Sequence, residues 1–476
     1  MNRAVNLRTL LGEQLRLLSV QGVEELSSLF ELRIVAVSSS DRLECQQFLG
    51  SEAALEIQTS GPTRYIHGVI SQARALGRQT STEAYYAYEL ILRPQLWYLS
   101  QAKDSRIFQN QTTVDILKQV FAPYNLEVDY QLTQSYREWG YCVQYDETDF
   151  NFVSRLMEHE GIYYYFKHEQ DKHTLVLVDD MAVHQPLPCT PELGFYPPDR
   201  VAVAQEEYIS EWQTGGEITP TAYTTRDYDF EKPRAEISAY QLHEKQGIED
   251  LEIYKPFGGY TTDDEAQFYA RVHLQAMQWP QYQGFGLSNA RSITPGYTFN
   301  LQHYPVDAEN QPYLIIRAEY DIRVQAYVTE QHKETRFITR FRAIPVSSIY
   351  RAPRLTPQPK AQGPLTATVV GPEGEEIWTD RYGRIKVQFH WDRDGQSDEY
   401  SSCWVRVSSP WSGGGFGGVQ IPRVKEEVVV DFINGQLDRP IVVGRVYNAL
   451  NMPPVKLPED ATQSGFFTRT KGSDPN

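Results

Sequence analysis

Histidine and glutamate stand next to each other at His159 and Glu160, which reproduces the first half of the HExxH pattern of zinc metalloproteases. That chemistry needs a second histidine one helical turn later, because both imidazoles must face one metal ion. The residue at that position is Tyr163, and Gly161 is of the type that ends a helix. The pattern therefore argues against a zinc protease.

Three further histidines, His168, His173 and His184, are close enough in sequence to gather on neighbouring strands. No cysteine or suitably spaced carboxylate completes a metal-ligand set around them, so we predict that they are surface residues. Another histidine, His390, stands between a phenylalanine and a tryptophan. For His390 we predict a hydrogen-bonded, partly buried imidazole rather than a catalytic base.

Paired carboxylates could supply the acid and the base of a glycoside hydrolase. The chain has three adjacent pairs of this kind: Asp179-Asp180, Glu206-Glu207 and Asp263-Asp264. Neighbouring residues on a strand point to opposite faces, which places the first two pairs poorly for one shared site. We predict that all three pairs are solvated. A carboxylate-dependent cell-wall hydrolase stays an alternative that a cleft with two carboxylates about 5–10 Å apart would support.

The glycine run from Gly413 to Gly418 formally matches GxGxxG. A dinucleotide site needs that loop to open a helix, whereas the residues that follow alternate like a strand and include Pro422. The run is therefore predicted to be a flexible loop between strands. The sequence also contains neither a GxSxG elbow nor a P-loop. We expect no catalytic residue, no cofactor-binding residue and no metal ligand.

Amphipathic periodicity predicts three helices, from about Thr113 to Phe121, from about Asp149 to Glu160 and around Thr262 to Gln278. Each has a threonine at its start that is suited to cap it. Most other segments alternate with period two, which is typical of strands. The clearest strand patterns are Tyr65 to Ile70, Tyr85 to Leu92 with Gly77 and Ser81 in the gap before it, Ile162 to Phe166 with Thr174 to Val178 as its hairpin partner, segments near Tyr208, Tyr313 to Arg317 and Arg336 to Phe341.

Charge argues against a nucleic-acid partner. The 476 residues include 45 Lys and Arg against 62 Asp and Glu, a net charge of −17. Residues 361–455 carry twelve acids and nine bases, a net charge of −3. Phosphate backbones repel such a surface. An oligonucleotide-binding barrel is thus a disfavoured alternative, and we expect no nucleic acid among the partners.

Cysteine spacing and the N-terminal sequence bear on the compartment. The four cysteines are far apart, which is typical of buried thiols in a reducing environment. Residues 1–20 lack the apolar stretch of a signal peptide, and no run approaches the ~20 apolar residues of a membrane span. We expect folding in the cytoplasm and export by a route that reads no N-terminal signal.

Proline clusters divide the chain. Residues 180–199 and 345–364 are rich in proline; the first is predicted to be a connection and the second a domain boundary. After it, short alternating strands follow one another, and Asn434-Gly435 is a hairpin turn signal. Several short strands in about ninety residues are typical of a small closed barrel of the OB type.

Three passages carry a family resemblance: Asp380 to Asp392, Trp404 through the glycine run to Ile441, and Asp149 to Tyr164. Together they resemble VgrG, the spike protein family of type VI secretion systems, which is related to the hub and spike of contractile phage tails. The resemblance implies a mainly β fold with α+β parts. Barrel-like hub subdomains are expected at 1–360, an OB-fold spike domain at 361–455 and the start of a β-helical needle at 456–476. The needle itself is then largely absent: either the chain is truncated or the needle is short, and the family pattern favours truncation.

The resemblance also implies function and partners. A member of this family is a structural, non-enzymatic component that forms a homotrimer and docks on the hexameric Hcp tube. It meets baseplate components and carries a PAAR-repeat tip protein and effectors on its needle across the target envelope. It is assembled in the cytoplasm and then secreted. The hub of a contractile phage-like particle is the alternative that the residues do not separate from this one.

Tyrosine outnumbers phenylalanine, 31 to 20. Tyrosine suits interfaces in which one end of the ring packs and the other stays wet. We therefore expect several tyrosines of the hub to lie between subunits.

Overall fold

The computed structural model describes residues 4–40, 43–78, 85–197, 207–242, 251–324 and 336–472. Strands dominate. In chain order, those before residue 200 are β1 Val5–Arg8, β2 Arg16–Glu25, β3 Glu31–Ser38, β4 Glu52–Ile57, β5 Arg64–Arg78, β6 Tyr86–Arg93, β7 Lys103–Phe108, β8 Gln111–Thr112, β9 Val128–Gln131, β10 Glu138–Trp139, β11 Cys142–Thr148, β12 Tyr163–His168, β13 His173–Val178 and β14 Glu192–Gly194. Those that follow are β15 Ile209–Gly215, β16 Ala222–Asp227, β17 Ile237–Leu242, β18 Glu252–Pro256, β19 Gln283–Ser288, β20 Thr298–Gln302, β21 Pro312–Arg323, β22 Arg336–Pro345, β23 Leu365–Val370, β24 Lys386–Phe389, β25 Arg406–Val407, β26 Glu427–Phe432 and β27 Pro440–Val446.

The helices are α1 Thr113–Phe121, α2 Asp149–Glu160 and α3 Asp263–Gln278. Short 3-10 turns lie at Gly12–Gln14, Cys45–Phe48, Gln95–Ser100, Ala122–Tyr124, Met181–Val183, Trp279–Gln281, Asp307–Glu309 and Ile433–Gly435. A threonine hydroxyl accepts a backbone N–H bond at the start of each α-helix: Thr112 from Asp115 at 3.2 Å, Thr148 from Asn151 at 3.1 Å and Thr262 from Glu265 at 3.3 Å. The three predicted helices and their caps are confirmed. Within the described residues, no helix combines the length and the apolar character needed to cross a membrane.

The first of two compact units comprises Met1–Gln101, Phe121–Ser135 and Val153–Thr356. Its main element is a twelve-stranded sheet in which the order β1-β4-β5-β6-β3-β2-β21-β22-β19-β15 is antiparallel throughout. β20 also pairs with β21, and β14 pairs with β20. β2 pairs with β21, which brings distant parts of the chain side by side. Alternation of buried and exposed positions along β21 and β22 gives the sheet one apolar and one polar face.

A second sheet of this unit has the order β12-β13-β9. β12 and β13 form the predicted antiparallel hairpin, which is confirmed. The glycine before it, Gly161, has φ +75 and ends α2 in the left-handed conformation that was expected. The hairpin packs against the large sheet through a core of Leu26, Tyr163, Tyr165, Val176, Val178, Leu314, Ile316, Ile344, Tyr350 and Ala352.

The third sheet, β17-β16-β18, rests one face on α3. Their shared core consists of Tyr223, Ile237, Ala239, Tyr260, Ala266, Tyr269, Ala270 and Leu274. The opposite face of this sheet is exposed to solvent, where Tyr240 and Tyr254 pair across strands with Thr224 between them.

The second unit comprises Ala102–Val120, Tyr136–Phe152 and Pro357–Asn476. Its five-stranded sheet has the order β24-β23-β26-β27-β25. β26 and β27 form the predicted hairpin, and the turn residues Asn434 and Gly435 have φ of 55° and 70°. Positive φ at both positions is what the Asn-Gly signal predicts, so this turn is confirmed.

The core of this barrel also takes side chains from the β7–β11 pair. Tyr141 and Val143 are buried with the strands of the five-stranded sheet, and Ile107 packs against the same cluster. The backbone N–H of Val143 donates to Oδ1 of Asp438 at 2.7 Å. Residues 102–120 and 136–152 therefore help to complete this barrel. The domain division at 1–360, 361–455 and 456–476 stays a prediction.

Two local expectations differ from the structure. The proline-rich segment 180–199 was expected to hold no element, yet it contains β14, which pairs with β20 in parallel. Gly77 was placed in a gap, whereas β5 runs past it to Arg78 with an irregular register and φ +86 at the glycine. Glycine tolerates that φ, so the strand continues through a local bulge. Ser81 lies outside the described residues.

Candidate functional site

Three histidines meet in the interior of the first unit. His67 lies in β5 of the large sheet, while His168 and His173 face each other across the β12–β13 hairpin. His173 is 6% exposed, His67 is 4% exposed and the side chain of His168 is 3% exposed. The prediction that His168 and His173 are surface residues is therefore wrong. The reason is that the turn end of this hairpin packs against β5 of the large sheet, which covers both rings.

Backbone amides fix the proton positions in this cluster. The N–H of Gln95 donates to Nε2 of His173 at 2.9 Å, and the N–H of His67 donates to Nδ1 of His168 at 3.2 Å. His173 therefore carries its proton on Nδ1, which lies 3.0 Å from Nδ1 of His67 and donates to it. His168 carries its proton on Nε2, which donates to Oε1 of Glu24 at 3.2 Å. His67 and His173 are thus neutral in this arrangement.

The carboxylate of Glu24, at which this series of hydrogen bonds ends, is also buried. Burial alone would raise the pKa of Glu24, but hydrogen bonds from His168 and Tyr320 and the charge of Arg64 at 3.8 Å hold its pKa below the ordinary value. Burial lowers the pKa of His67 to about 4 and the pKa of His173 well below its usual range. Within the described residues, no group of three or more His, Cys, Asp or Glu could hold a metal ion. The cluster acts as a polar cross-link between two sheets.

The two remaining histidines differ from expectation in opposite directions. His184 was predicted at the surface but is 8% exposed, held by the hydroxyl of Tyr163 and the carbonyl of Gly296, both at 2.8 Å. His390 was predicted to be partly buried and hydrogen-bonded, yet its side chain is 55% exposed. Its Nε2 lies 3.8 Å from Oε1 of Glu427, which is an ion-pair distance and not hydrogen-bond geometry.

The carboxylate pairs do not share environments. Asp179 is 2% exposed and accepts bonds from the backbone N–H groups of Thr133 and Gln134, both at 2.9 Å. Asp180 is exposed and accepts from the N–H of Ala182 at 2.9 Å. The prediction of a solvated pair is thus wrong for Asp179, and the two carboxylates have opposite environments just after the end of β13.

Of the other two pairs, Asp263 and Asp264 are exposed in the first turn of α3, where their charges stabilise the helix N-terminus. Glu206 lies outside the described residues. Its neighbour Glu207 is half-buried, and burial raises the pKa of its carboxyl group.

The glycine run forms the loop that was predicted. The N–H of Gly413 donates to the carbonyl of Phe416 at 2.9 Å, and the N–H of Gly418 donates to the carbonyl of Trp411 at 2.8 Å. The strand-like bridge between Ser412 and Gly417 closes a tight hairpin with no helix after it. Trp411 and Phe416 are exposed on this loop, 64% and 62% respectively.

Ion pairs link neighbouring strands on the polar face of the large sheet. Arg317 in β21 pairs with Glu25 of β2 at 2.6 Å and with Glu319 at 2.7 Å. Arg93 pairs with Glu31, and Arg33 with Glu89. Charges of both signs along adjacent strands keep this face solvated.

Comparison with known proteins identifies the family to which this chain belongs. Residues 23–326 match the family model described as phage tail baseplate hub (GPD). Residues 375–447 match the type VI secretion system/phage-baseplate injector OB domain. The type VI secretion system spike protein VgrG1a of Pseudomonas aeruginosa is 40% identical over 100% of this chain and 74% of that protein. The chain belongs to the VgrG family.

A second VgrG relative, VgrG1b of the same organism, is 40% identical over 99% of this chain. The chain spans 64% of the length of VgrG1b. Among solved structures, the E. coli c3393 protein, a type VI secretion component with structural similarity to phage T4 tail proteins gp27 and gp5, gives a TM-score of 0.67. At 21% identity, with 92% of this chain and 99% of that chain covered, it shows a common fold. The expectation of a mainly β VgrG fold with an OB barrel is confirmed.

The VgrG resemblance did not reveal the buried cluster around Glu24 and His67. A sequence signal existed, since His67 lies in the largely apolar run from Ile66 to Ile70. The structure buries every residue of this run in β5. A histidine in such a run needs buried hydrogen-bond partners. Its partners come from strands about a hundred residues away, which sequence spacing alone does not identify.

Proposed function

We propose that this VgrG chain is the hub and spike base of a type VI secretion system, and that it works as a homotrimer docked on the Hcp tube. Membership of the VgrG family along the whole length of the chain carries this proposal. We further propose that the chain does its work by rigidity and shape, without making or breaking bonds.

The use of ionisable groups supports a mechanical role. The buried residues that could do chemistry instead hold parts of the fold together. Three imidazoles join two sheets. The carboxylate of Asp179 accepts hydrogen bonds from backbone N–H groups. Arg351, 7% exposed, holds the carbonyls of Gly161 and Asp179 together. Buried polar networks that are fully satisfied rigidify a fold. A component that is pushed through an envelope needs this property.

Exposed apolar side chains of the second unit support self-association. Large apolar groups that are more than 60% exposed there are Trp411, Phe416, Val419, Tyr400, Tyr447, Leu450, Met452, Phe466 and Phe467. Contiguous exposed apolar patches mark interaction sites, and we propose that these side chains contribute to one. Phe466 and Phe467 lie just before a segment that is fixed to the barrel, because Glu376 accepts from the N–H of Gly472 at 2.9 Å and pairs with Arg469 at 3.3 Å. Two further copies of the chain would cover these side chains.

The exposure of the tyrosines separates those that serve the core from those that could lie between subunits. Tyr163, Tyr164, Tyr260, Tyr269 and Tyr313 are among the largest fully buried side chains, so much of the tyrosine content serves the core. Tyr240 and Tyr254, 56% and 57% exposed, stand on one open sheet face. We propose these two as tyrosines between hub subunits.

The remaining family expectations belong to the same proposal. The segments 1–360, 361–455 and 456–476 would act as hub, spike barrel and start of the needle. The needle would carry the PAAR-repeat tip and the effectors, and baseplate components would surround the hub. Assembly in the cytoplasm would precede secretion.

Native mass spectrometry of the full chain tests the trimer. We expect a species with three times the mass of one chain. The double variant Phe466→Ser/Phe467→Ser should shift it towards the monomer, while Leu10→Ser, 79% exposed in the first unit, should leave it unchanged. A wild-type chain that stays monomeric at all concentrations would contradict the homotrimer.

The hub-family match also favours the alternative of a contractile phage-like particle. Binding to the tube protein distinguishes the two. The chain is mixed with purified Hcp hexamers and, separately, with a phage tail-tube protein, and complexes are resolved by size-exclusion chromatography. Complex formation with Hcp supports the secretion system, and a complex with the phage tube protein alone supports the alternative.

A further inference from the structure

A groove of about 270 Å³ crosses the polar face of the large sheet. Its floor is β19 and β22, and its sides are β15 and β21. Among the residues that line it are Phe285, Leu287, Arg340, Arg342, Glu211 and Glu319.

The apolar floor results from the order of residues in β19, where glycines occupy the positions that face the core and apolar side chains occupy the positions that face solvent. In Gly284-Phe285-Gly286 the two glycines point to the core, because a Cβ on Gly284 would lie 2.3 Å from Trp212 and one on Gly286 would lie 2.3 Å from Phe341. The core rings therefore fill the space of both glycine side chains. Phe285 is left on the solvent side, 41% exposed, with the half-buried Leu287 two residues further on the same face.

Two arginines stand beside this floor, and Glu319 of β21 lies opposite the first of them, Arg340, in the strand register. Arg340 and Arg342 point to the same face of β22, about 7 Å apart along the strand. Within the described residues neither forms an ion pair, whereas Arg317 on the next strand takes both Glu25 and Glu319. The guanidinium of Arg342 lies 5.6 Å from the ring centre of Phe285. Unpaired neighbouring guanidiniums are unexpected in a chain with 62 acids and 45 bases.

We propose that this groove is a docking site for an acidic segment of a partner protein, one that presents carboxylates beside an apolar side chain. Carboxylates would take bidentate bonds from Arg340 and Arg342, and the apolar side chain would cover Phe285 and Leu287. Glu319 is already paired with Arg317 at 2.7 Å, so it repels a partner carboxylate less than an unpaired glutamate would, whereas a continuous phosphate chain such as nucleic acid would meet both Glu211 and Glu319. This proposal does not depend on the trimer or on Hcp.

Fluorescence anisotropy with the full chain tests the site. The probe is a fluorescein-labelled heptapeptide in which two glutamates flank a leucine, and the matched probe has glutamines in their place. We expect tighter binding of the acidic peptide and weakening with added salt. The variant Arg340→Gln/Arg342→Gln should weaken binding about tenfold, or about 1.4 kcal/mol, the scale of two exposed charge pairs. Phe285→Ser should weaken both peptides.

The control is Arg323→Gln, which removes an exposed arginine of the same face that already pairs with Asp321 at 3.4 Å. It should leave peptide binding unchanged, and thermal melts should verify that each variant is folded. Equal binding of the two peptides, or unchanged binding by the folded double variant, would overturn the proposal. A single-stranded oligonucleotide that binds more tightly than the peptide, or a double variant that alters only the oligomeric mass, would also overturn it.

Discussion

Nδ1 of His67 lies 3.0 Å from Nδ1 of His173, and the second ring nitrogen of His173 accepts the backbone N–H of Gln95 at 2.9 Å. This contact holds only while both rings are neutral with fixed tautomers. If this pair of rings bound one more proton, Nδ1 of both rings would carry a hydrogen, and two donors would face each other. The link between the two sheets of the first unit therefore depends on pH.

The first prediction follows from the pKa of His67, which burial lowers to about 4 from the usual 6.5 of a histidine. Between these values the unfolded chain binds the proton and the folded chain does not, so the free energy of unfolding falls as the pH drops from 6.5 to 4. We expect a loss of about 2–3 kcal/mol from this residue. Urea unfolding at several pH values in this window measures it.

His67→Gln is the variant that tests this assignment, and His390→Gln at the exposed position is its control. The His67 variant should be less stable at pH 7 but should show a shallower dependence on pH between 4 and 6.5. Equal pH slopes in the wild type and the His67 variant would show that the acid sensitivity comes from elsewhere.

The second prediction concerns Gly161, which ends α2 with φ +75. A Cβ there would lie 2.5 Å from Cγ1 of Val272 in α3. Gly161→Ala should cost about 2 kcal/mol or more, from left-handed strain together with the contact. Adding Val272→Ala should leave the strain and relieve the contact, although it makes its own cavity. Denaturant midpoints measure both, and Gly140→Ala, which meets nothing within 4 Å, should be near neutral.

The third prediction tests the contribution of residues 136–152 to the barrel. Asp438→Ala removes the acceptor of the Val143 N–H and leaves that buried donor without its bond. A cost of about 1–3 kcal/mol is expected. Hydrogen exchange should show faster exchange of the Val143 amide in the variant, while the exposed control Asp394→Ala should not change it. Unchanged protection of Val143 would argue that this bond is not needed to hold β11.

The fourth prediction concerns the cap of α3. Thr262 accepts the N–H of Glu265 at 3.3 Å, and Glu265 in return accepts the N–H of Thr261 at 3.0 Å. Thr262→Ala should lower the free energy of unfolding by about 1 kcal/mol. Thr261→Ala keeps its backbone donor and should have a much smaller effect in the same urea titration. Similar losses in both variants would mean that the hydroxyl bond is not the source.

Local signals predicted local structure well. The three helices were found because a threonine cap, an apolar stripe and a stop residue lie within one short segment, as in α2 with Thr148 and Gly161. The β26–β27 turn was found from two residues, Asn434 and Gly435. Such features need only neighbours in sequence.

Long-range packing decided the rest. Nothing near Val143 indicates that it belongs to a core completed by Val442, and nothing near His168 indicates that a strand from residue 67 covers it. The environment of Asp179 likewise depends on the amides of Thr133 and Gln134. The family resemblance supplied the architecture, but the individual cross-links became visible only in three dimensions.

The position of Tyr141 and Val143 in the barrel core has a consequence for biosynthesis. These side chains leave the ribosome about 300 residues before Val442 and the last strand that encloses them. At ~5–20 residues per second, the delay is about 15–60 seconds. For that time the nascent β7–β11 segment presents an unfinished apolar surface, which makes it a candidate for chaperone protection during translation.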